Sequence, residues 1–104
     1  MCSSDLTSAG REDHVSMSMG AALKAARAVE LARQVVAIEL MAAAQALDLL
    51  APLCTSPALA GVHAEIRRRV PHLAVDRPPS PDIDAIAGQI ADGSLAAACP
   101  IALA

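Results

Sequence analysis

The sequence contains no aromatic residue, since Phe, Tyr and Trp are all absent, although 55% of its 104 residues are hydrophobic. Aromatic side chains usually dominate the energetics of a protein core. Alanine, leucine, valine, isoleucine and methionine must therefore supply the burial. A domain of this size buries only ~60–70% of the surface that its unfolded chain exposes. We infer helices packed closely against one another or against neighbouring subunits, in a chain that is part of something larger.

The sequence also has no excess of positive charge. Eight Lys and Arg stand against eleven Asp and Glu, a formal net charge of −3, which argues against nucleic acid or an anionic membrane as a partner. The one basic run, Arg67 to Arg69, is interpreted as a solvated face that complements the dipole of a helix C-terminus. Glycine-rich phosphate loops and the G-x-S-x-G motif are missing, so nucleotide binding and hydrolase chemistry find no support.

Cysteine pairs are lacking too. Cys2, Cys54 and Cys99 are widely scattered, with no C-x-x-C pair and no histidine at metal-ligand spacing. We expect no metal site and a reducing, cytoplasmic setting. No basic segment leads into an apolar stretch at the N-terminus, so no secretory signal is predicted.

One long helix is predicted from about Ser16 to Leu50, because apolar residues recur there every three or four positions. At ~1.5 Å per residue it is on the order of 50 Å long, too long for a chain of this size to wrap, so partner helices are expected. Charges nearly vanish after Val35, and this half is expected to be buried on several sides. Pro52 is expected to stop the helix.

The most apolar window, 35–53, resembles a membrane span at first sight. It contains Glu39, Gln45 and Asp48, and an acidic residue near the centre of a span costs ~2.5–3.5 kcal/mol. Burial inside protein is the better interpretation, and no membrane partner is predicted.

A second helix is expected to begin with Ser56 as N-cap and Pro57 at the first helical position. Pro71 is expected to end it. Residues 71–80 include three prolines and are predicted to form a loop.

The pair Ser80-Pro81 repeats this start signal, with Ser80 as the expected cap of a third helix. Gly93 is the natural residue to follow its end, and Ser94 is expected to cap one more short turn. No strand or internal repeat is recognised. The predicted fold is all-α, with one long central-bundle helix followed by two shorter helices and a short C-terminal turn.

Acid–base chemistry has one candidate, the triple Glu12-Asp13-His14 just before the long helix. Glutamate and histidine are common proton carriers, although by spacing alone such a cluster is more often a solvated group favoured by the helix dipole. A thiol–imidazole pair of Cys54 with His63 or His72 has no support from spacing. Cys54 is interpreted as a core residue, His63 as a boundary residue and His72 as a loop residue.

The segment 12–17, Glu-Asp-His-Val-Ser-Met, with Thr-Ser-Ala-Gly at 7–10 before it, resembles the histidine ammonia-lyase branch of the aromatic amino acid lyases. Residues 37–40 and 43–49 resemble the central-helix signature of that family. Three further stretches resemble its C-terminal pattern, and together these segments span roughly residues 7–95 in the family's order. They are 66–71, 76–77 and 81–83.

The resemblance implies elimination of ammonia from L-histidine to give trans-urocanate, with Glu12 in the active site. The related phenylalanine and tyrosine lyases typically have glutamine at that position. A carboxylate can pair with an ammonium or imidazolium or move a proton, whereas an amide can only hydrogen-bond, so Glu12 is consistent with histidine as substrate. Arg11 departs from the glutamine most often found before it.

The resemblance also implies a methylidene-imidazolone cofactor, made by the family from an Ala-Ser-Gly tripeptide, and a homotetramer built around long central helices. This chain has no Ala-Ser-Gly and no tyrosine. The family's catalytic tyrosine and tripeptide are therefore expected in preceding sequence, and the 104 residues alone are expected to be inactive.

Residues 1–6 are interpreted as a non-native leader, because the resemblance begins only near Thr7 and the codons for Cys2 to Leu6 can match the end of a sequencing adapter. Residues 7–104 are then the C-terminal helical part of an ammonia-lyase. Two alternatives stay open: a stand-alone helical module for oligomerisation or interaction, and a fragment of a tyrosine or phenylalanine lyase or of an aminomutase.

Overall fold

The computed structural model describes residues 17–101, and the regular structure of this range is entirely α-helical. The chain divides into two compact units, Met1–Glu30 and Leu31–Ala104, with the boundary inside the first helix. The predicted all-α class, one long helix followed by two shorter helices and a short C-terminal turn, is confirmed for the described residues. The helices are α1 (Ser18–Leu49), α2 (Pro57–Arg69), α3 (Ser80–Ala91) and α4 (Ser94–Ala98).

Both ends of α1 lie close to the predicted limits. The helix ends at Leu49 and is followed by a turn in which the Ala51 N–H donates to Asp48 O at 3.3 Å. Pro52 follows in this turn, as expected of a residue that has no N–H for a further helical hydrogen bond.

The start of α2 follows the sequence signal. Ser56 is the N-cap, its Oγ accepts from Leu59 N at 3.4 Å, and Pro57 occupies the first helical turn. The helix ends at Arg69, Val70 is the C-cap, and Pro71 prevents continuation. These predictions are confirmed.

The caps of α3 and α4 correct the prediction by one residue each. Ser80 is the first residue of α3, and the cap position is held by Pro79, which has helical dihedral angles of φ −81° and ψ −18°. Ser94 likewise begins α4, and its Oγ donates to Gln89 O at 3.2 Å. Gly93 precedes α4 at φ 80°, the left-handed conformation that glycine adopts without strain, so its predicted place after α3 is confirmed.

The core lies in the second unit and contains aliphatic residues and alanine, as the composition requires. Helices α2 and α4 approach closely at Gly61, where a Cβ atom would lie 2.7 Å from Ala98 O. The buried hydrophobic residues are Ala37 and Ala44 of α1, Ile66 and Val70 at the end of α2, Ile86 and Ala87 of α3, and Leu95 of α4.

The second half of α1 is largely exposed within the single chain, and its expected burial on several sides by partner helices stays a prediction. Its buried residues are Ala37 and Ala44, while Val35, Ile38 and Leu49 are 56%, 46% and 72% exposed. Within the second unit, Leu40 and Met41 of α1 also pack partly against the core. Among residues 17–101, no helix has the length and hydropathy needed to cross a membrane.

Candidate functional site

Glu12, the catalytic residue predicted from the sequence, lies outside the described residues together with Asp13 and His14. Its role stays a prediction. The described residues contain a different cluster, which lies wholly within the second unit.

This cluster centres on Asp48, near the C-terminal end of α1. Asp48 Oδ1 lies 2.8 Å from His63 Nε2, and Asp48 Oδ2 lies 3.0 Å from His72 Nδ1. Arg67 Nε donates to Asp48 Oδ2 at 2.9 Å, and Arg67 Nη2 makes a second bond to the same oxygen. We call Asp48, His63, Arg67 and His72 the Asp48 junction. It joins α1 to α2 and to the chain that follows α2.

Gln45, one helical turn before Asp48, extends the junction to the backbone of Leu73. Its Nε2 donates to Leu73 O at 3.2 Å, and its Oε1 accepts from Leu73 N at 3.1 Å. Arg67 Nη1 donates to Val70 O at 3.0 Å. The chain leaving α2 is therefore fixed to α1 by side chains on both helices.

Arg77 fixes the chain between α2 and α3 near the start of α3. Its Nε donates to Asp82 Oδ2 at 2.9 Å in the first turn of α3. Its Nη2 donates to Pro71 O at 2.7 Å, and its Nη1 donates to His72 O at 3.4 Å. Arg77 thus links the start of α3 to the backbone of Pro71 and His72, the first residues after Val70.

The junction holds the Asp48 carboxyl in its ionised form. The hydrogen bond with His72, followed by those with Arg67 and His63, lowers the pKa of Asp48 from 3.8 to about 2, against the opposing effect of partial burial. The side chains of Asp48 and Arg67 are 20% and 17% exposed. A carboxylate with so low a pKa is poorly matched to proton transfer near neutral pH, so the geometry favours a structural cross-link.

A metal site does not fit the junction. Within the described range, His, Cys, Asp and Glu form no group of three or more that could hold a metal ion. The guanidinium of Arg67, bonded directly to Asp48, would also repel a cation.

The sequence interpretation of the basic run was wrong for Arg67, which lies inside the junction. The reason is that the first arginine of the run faces α1, where Asp48 needs a counter-ion. Arg68 does fit the interpretation, since its side chain is 75% exposed and pairs with Glu65 at 2.9 Å. Arg69 pairs with Asp92 at 3.0 Å.

The sequence interpretation was right for the positions of His63 and His72 and wrong for Cys54. His63 is a boundary residue and His72 a loop residue, as interpreted, but their shared partner Asp48 was missed. Cys54 is exposed and not a core residue. It lies in the connection after α1, where its Sγ is 3.6 Å from Pro52 O.

Four of the segments that carry the family resemblance have residues in or beside this cluster. Gln45 and Asp48 belong to 43–49, Arg67 belongs to 66–71, and Arg77 and Asp82 belong to 76–77 and 81–83. These stretches are separated along the chain but are linked to one another by hydrogen bonds in the structure.

Comparison with known proteins agrees with that resemblance. The sequence profile of the family described as aromatic amino acid lyase matches residues 1–68. The histidine ammonia-lyase of Anaeromyxobacter sp. (strain K) is 55% identical over 89 residues, which cover 86% of this chain and 18% of that protein. That of Aromatoleum aromaticum is 48% identical over 95 residues, or 91% of this chain and 18% of that protein.

The histidine ammonia-lyase of Burkholderia cenocepacia (strain HI2424) is 45% identical over 98 residues, which cover 94% of this chain and 19% of that protein. The chain therefore spans less than a fifth of the length of these relatives while nearly all of it is matched.

Proposed function

Since the chain belongs to the aromatic amino acid lyase family, we propose that it is the C-terminal helical part of a histidine ammonia-lyase. The observation that carries the proposal is the 55% identity over 86% of the chain to a protein of that name. The substrate is then L-histidine. The bond between its α-carbon and the amino nitrogen breaks, a proton leaves the β-carbon, and the products are ammonia and trans-urocanate.

Glu12 is the residue of this chain that we assign to the reaction. Its carboxylate can pair with the ammonium or imidazolium of histidine, or accept a proton, whereas glutamine at this position could only hydrogen-bond. The assignment rests on the motif at 12–17 and on the similarity to histidine ammonia-lyases.

The residues present do not fit formation of the family's methylidene-imidazolone group. The 104 residues contain no Ala-Ser-Gly, from which the family makes it, and no tyrosine. We therefore derive no step through that group from this chain. The intact cytoplasmic enzyme supplies it from the part of the polypeptide that these residues do not include, and the 104 residues alone have no lyase activity.

The Asp48 junction serves assembly in this proposal. It fixes α2 and the following segment to one face of α1 through Asp48, Arg67 and Gln45. Other apolar residues of α1 stay available, as the exposure of Val35 and Ile38 indicates. We assign this exposed face to the centre of a homotetramer.

A chimera tests the substrate assignment. In the Anaeromyxobacter sp. (strain K) histidine ammonia-lyase, the matched segment is replaced by the corresponding residues of this chain, and turnover is measured on histidine, tyrosine and phenylalanine. We expect urocanate formation with kcat/KM for histidine at least ~100-fold above the other two substrates, a discrimination that polar recognition readily provides. A folded chimera that prefers tyrosine or phenylalanine would establish the alternative lyase.

The same chimera tests the tetramer. Replacing Val35, which is 56% exposed, with lysine places a charge in the proposed interface, and native mass spectrometry should then show smaller species. Val75→Lys is the matched control, because Val75 is 79% exposed outside α1. If Val35→Lys stays tetrameric, the assigned face is wrong.

A further inference from the structure

The segment between α2 and α3, residues 71–79, is attached to the rest of the second unit by a set of polar contacts. It lies within the described range, contains no helix or strand, and is exposed throughout except at half-buried Arg77. Of its larger apolar side chains, Val75 is 79% exposed and contributes little burial, whereas Leu73, at 39% exposed, is partly covered. We call residues 71–79 the strap.

Two groups of hydrogen bonds fix the strap, one to α1 and one to itself and to α3. The first is the Gln45 latch, in which one side chain of α1 both donates to and accepts from the backbone of Leu73. The second is the Arg77 staple, which bonds Pro71 O, His72 O and Asp82. The contact of His72 with Asp48 lies beside the latch.

The space beneath the strap shows that it does not pack tightly on α1. A cavity of about 190 Å³ lies there, lined by residues that include Met41 and Ala42 of α1, Val70, and Leu73 and Pro79 of the strap. The cavity separates part of the strap from α1, so lifting the strap would expose the partly covered side chain of Leu73 and break the polar contacts. The opening free energy is set mainly by the latch and the neighbouring contact of His72 with Asp48, which join the strap to α1.

Segments with few buried apolar contacts open locally, at a free energy below that of global unfolding. We propose that the strap opens as a separate unit while α2 and α3 remain folded, uncovering the cavity, and that Gln45 is the residue that sets how often it opens. The staple keeps the two ends of the strap together, so the strap moves as one body about its junctions with α2 and α3.

Hydrogen exchange of backbone amides in the 104-residue chain, followed by NMR, tests the first half of the proposal. The Leu73 amide reports on the strap because its acceptor is Gln45, and the amide of buried Ile66 reports on the body of α2. We expect an opening constant for Leu73 at least ~100-fold above that for Ile66, with a weaker dependence on denaturant.

Two substitutions separate strap opening from global unfolding. Ile86→Val weakens the core, where Ile86 is fully buried, and should raise Ile66 exchange about 2- to 10-fold while leaving Leu73 unchanged. Gln45→Leu removes the latch and should raise Leu73 exchange about 10-fold or more. Gln34→Leu, earlier on α1, is the matched control and should leave Leu73 exchange unchanged.

Each arm can overturn the proposal. If Leu73 exchange rises in parallel with Ile66 in Ile86→Val, the strap has no opening of its own. If Gln45→Leu and Gln34→Leu affect Leu73 equally, Gln45 is not the latch. The Ile86→Val arm leaves the strap intact, so it decides the question of separate opening even if Gln45→Leu fails to fold.

Discussion

Replacing Asp48 with asparagine is the most informative test of the junction. The substitution keeps the size of the side chain but removes the charge that faces Arg67 and lies beside His63 and His72. Arg67 would then be a largely buried cation, 17% exposed, without its carboxylate partner. Removing one member of such a pair destabilises a protein because the other charge loses its compensation.

The magnitude follows from the pKa of Asp48, which is lowered from 3.8 to about 2. Each pKa unit corresponds to about 1.4 kcal/mol, so the charged carboxylate contributes about 2 kcal/mol to stability. Because the folded-state pKa is the lower one, this contribution is present above pH 3.8 and is lost as the pH falls through about 2.

The assay is urea unfolding of the chain, Asp48→Asn and Asp84→Asn between pH 7 and pH 2. At pH 7 we expect Asp48→Asn to lower the free energy of unfolding by about 2 kcal/mol or more. At pH 2 the difference in unfolding free energy between wild type and Asp48→Asn should be much smaller. At that pH the Asp48 carboxyl is protonated in the unfolded chain and about half protonated in the folded one. Asp84 is exposed on α3 and should show little change. A loss in Asp48→Asn that is the same at pH 7 and pH 2 would refute the reasoning.

Three further predictions concern packing and helix ends. Gly61→Ala should lower the free energy of unfolding by about 1–3 kcal/mol, because its Cβ would lie 2.7 Å from Ala98 O. At Gly88 a Cβ atom would meet nothing within 4 Å, so Gly88→Ala should raise the free energy of unfolding by about 0.5–1 kcal/mol. Thermal unfolding in which Gly61→Ala and Gly88→Ala shift stability in the same direction would contradict this prediction. Gly93→Ala, at φ 80°, should cost about 1 kcal/mol, and an unchanged melting temperature would count against the strain. Ser56→Ala should cost about 0.5–2 kcal/mol by urea unfolding and Ser56→Asp much less, so equal losses would exclude capping.

The helix ends were largely predictable because their signals are local. Ser56 with Pro57 and the turn at Gly93 act through dihedral angles and hydrogen bonds within a few residues. The predicted caps Ser80 and Ser94 were wrong by one residue. A serine in the sequence indicates neither the helical dihedral angles of the preceding Pro79 nor the hydrogen bond from Ser94 Oγ to Gln89 O.

The junction was not predictable at the same level because its members are far apart in sequence. His63, Arg67 and His72 lie 15, 19 and 24 residues from Asp48, and only the packing of α2 on α1 brings them together. One signal was present: Asp48 is the one Asp, Glu, Lys or Arg in residues 40–62, and a largely buried charge requires a partner. The sequence did not indicate which of the nearby cations would supply it.

The burial of α1 could not be predicted from the apolar pattern of one chain alone. The apolar pattern correctly indicated a helix with apolar residues on several sides, but burial depends on covering atoms. This chain covers Ala37 and Ala44 and leaves Val35, Ile38 and Leu49 exposed. Because the chain spans 18% of its Anaeromyxobacter relative, the other faces of α1 are where we place the remainder of the assembly.

The most direct test of the central claim is the turnover number of the chimeric enzyme on L-histidine after Glu12→Gln. Glu39→Gln, the same chemical change on an exposed position of α1, is the control. We expect Glu12→Gln to reduce kcat by about 10²–10⁴-fold, the range for loss of a general acid or base, while Glu39→Gln retains it. Near-normal kcat in Glu12→Gln would contradict the assignment of this residue to the active site.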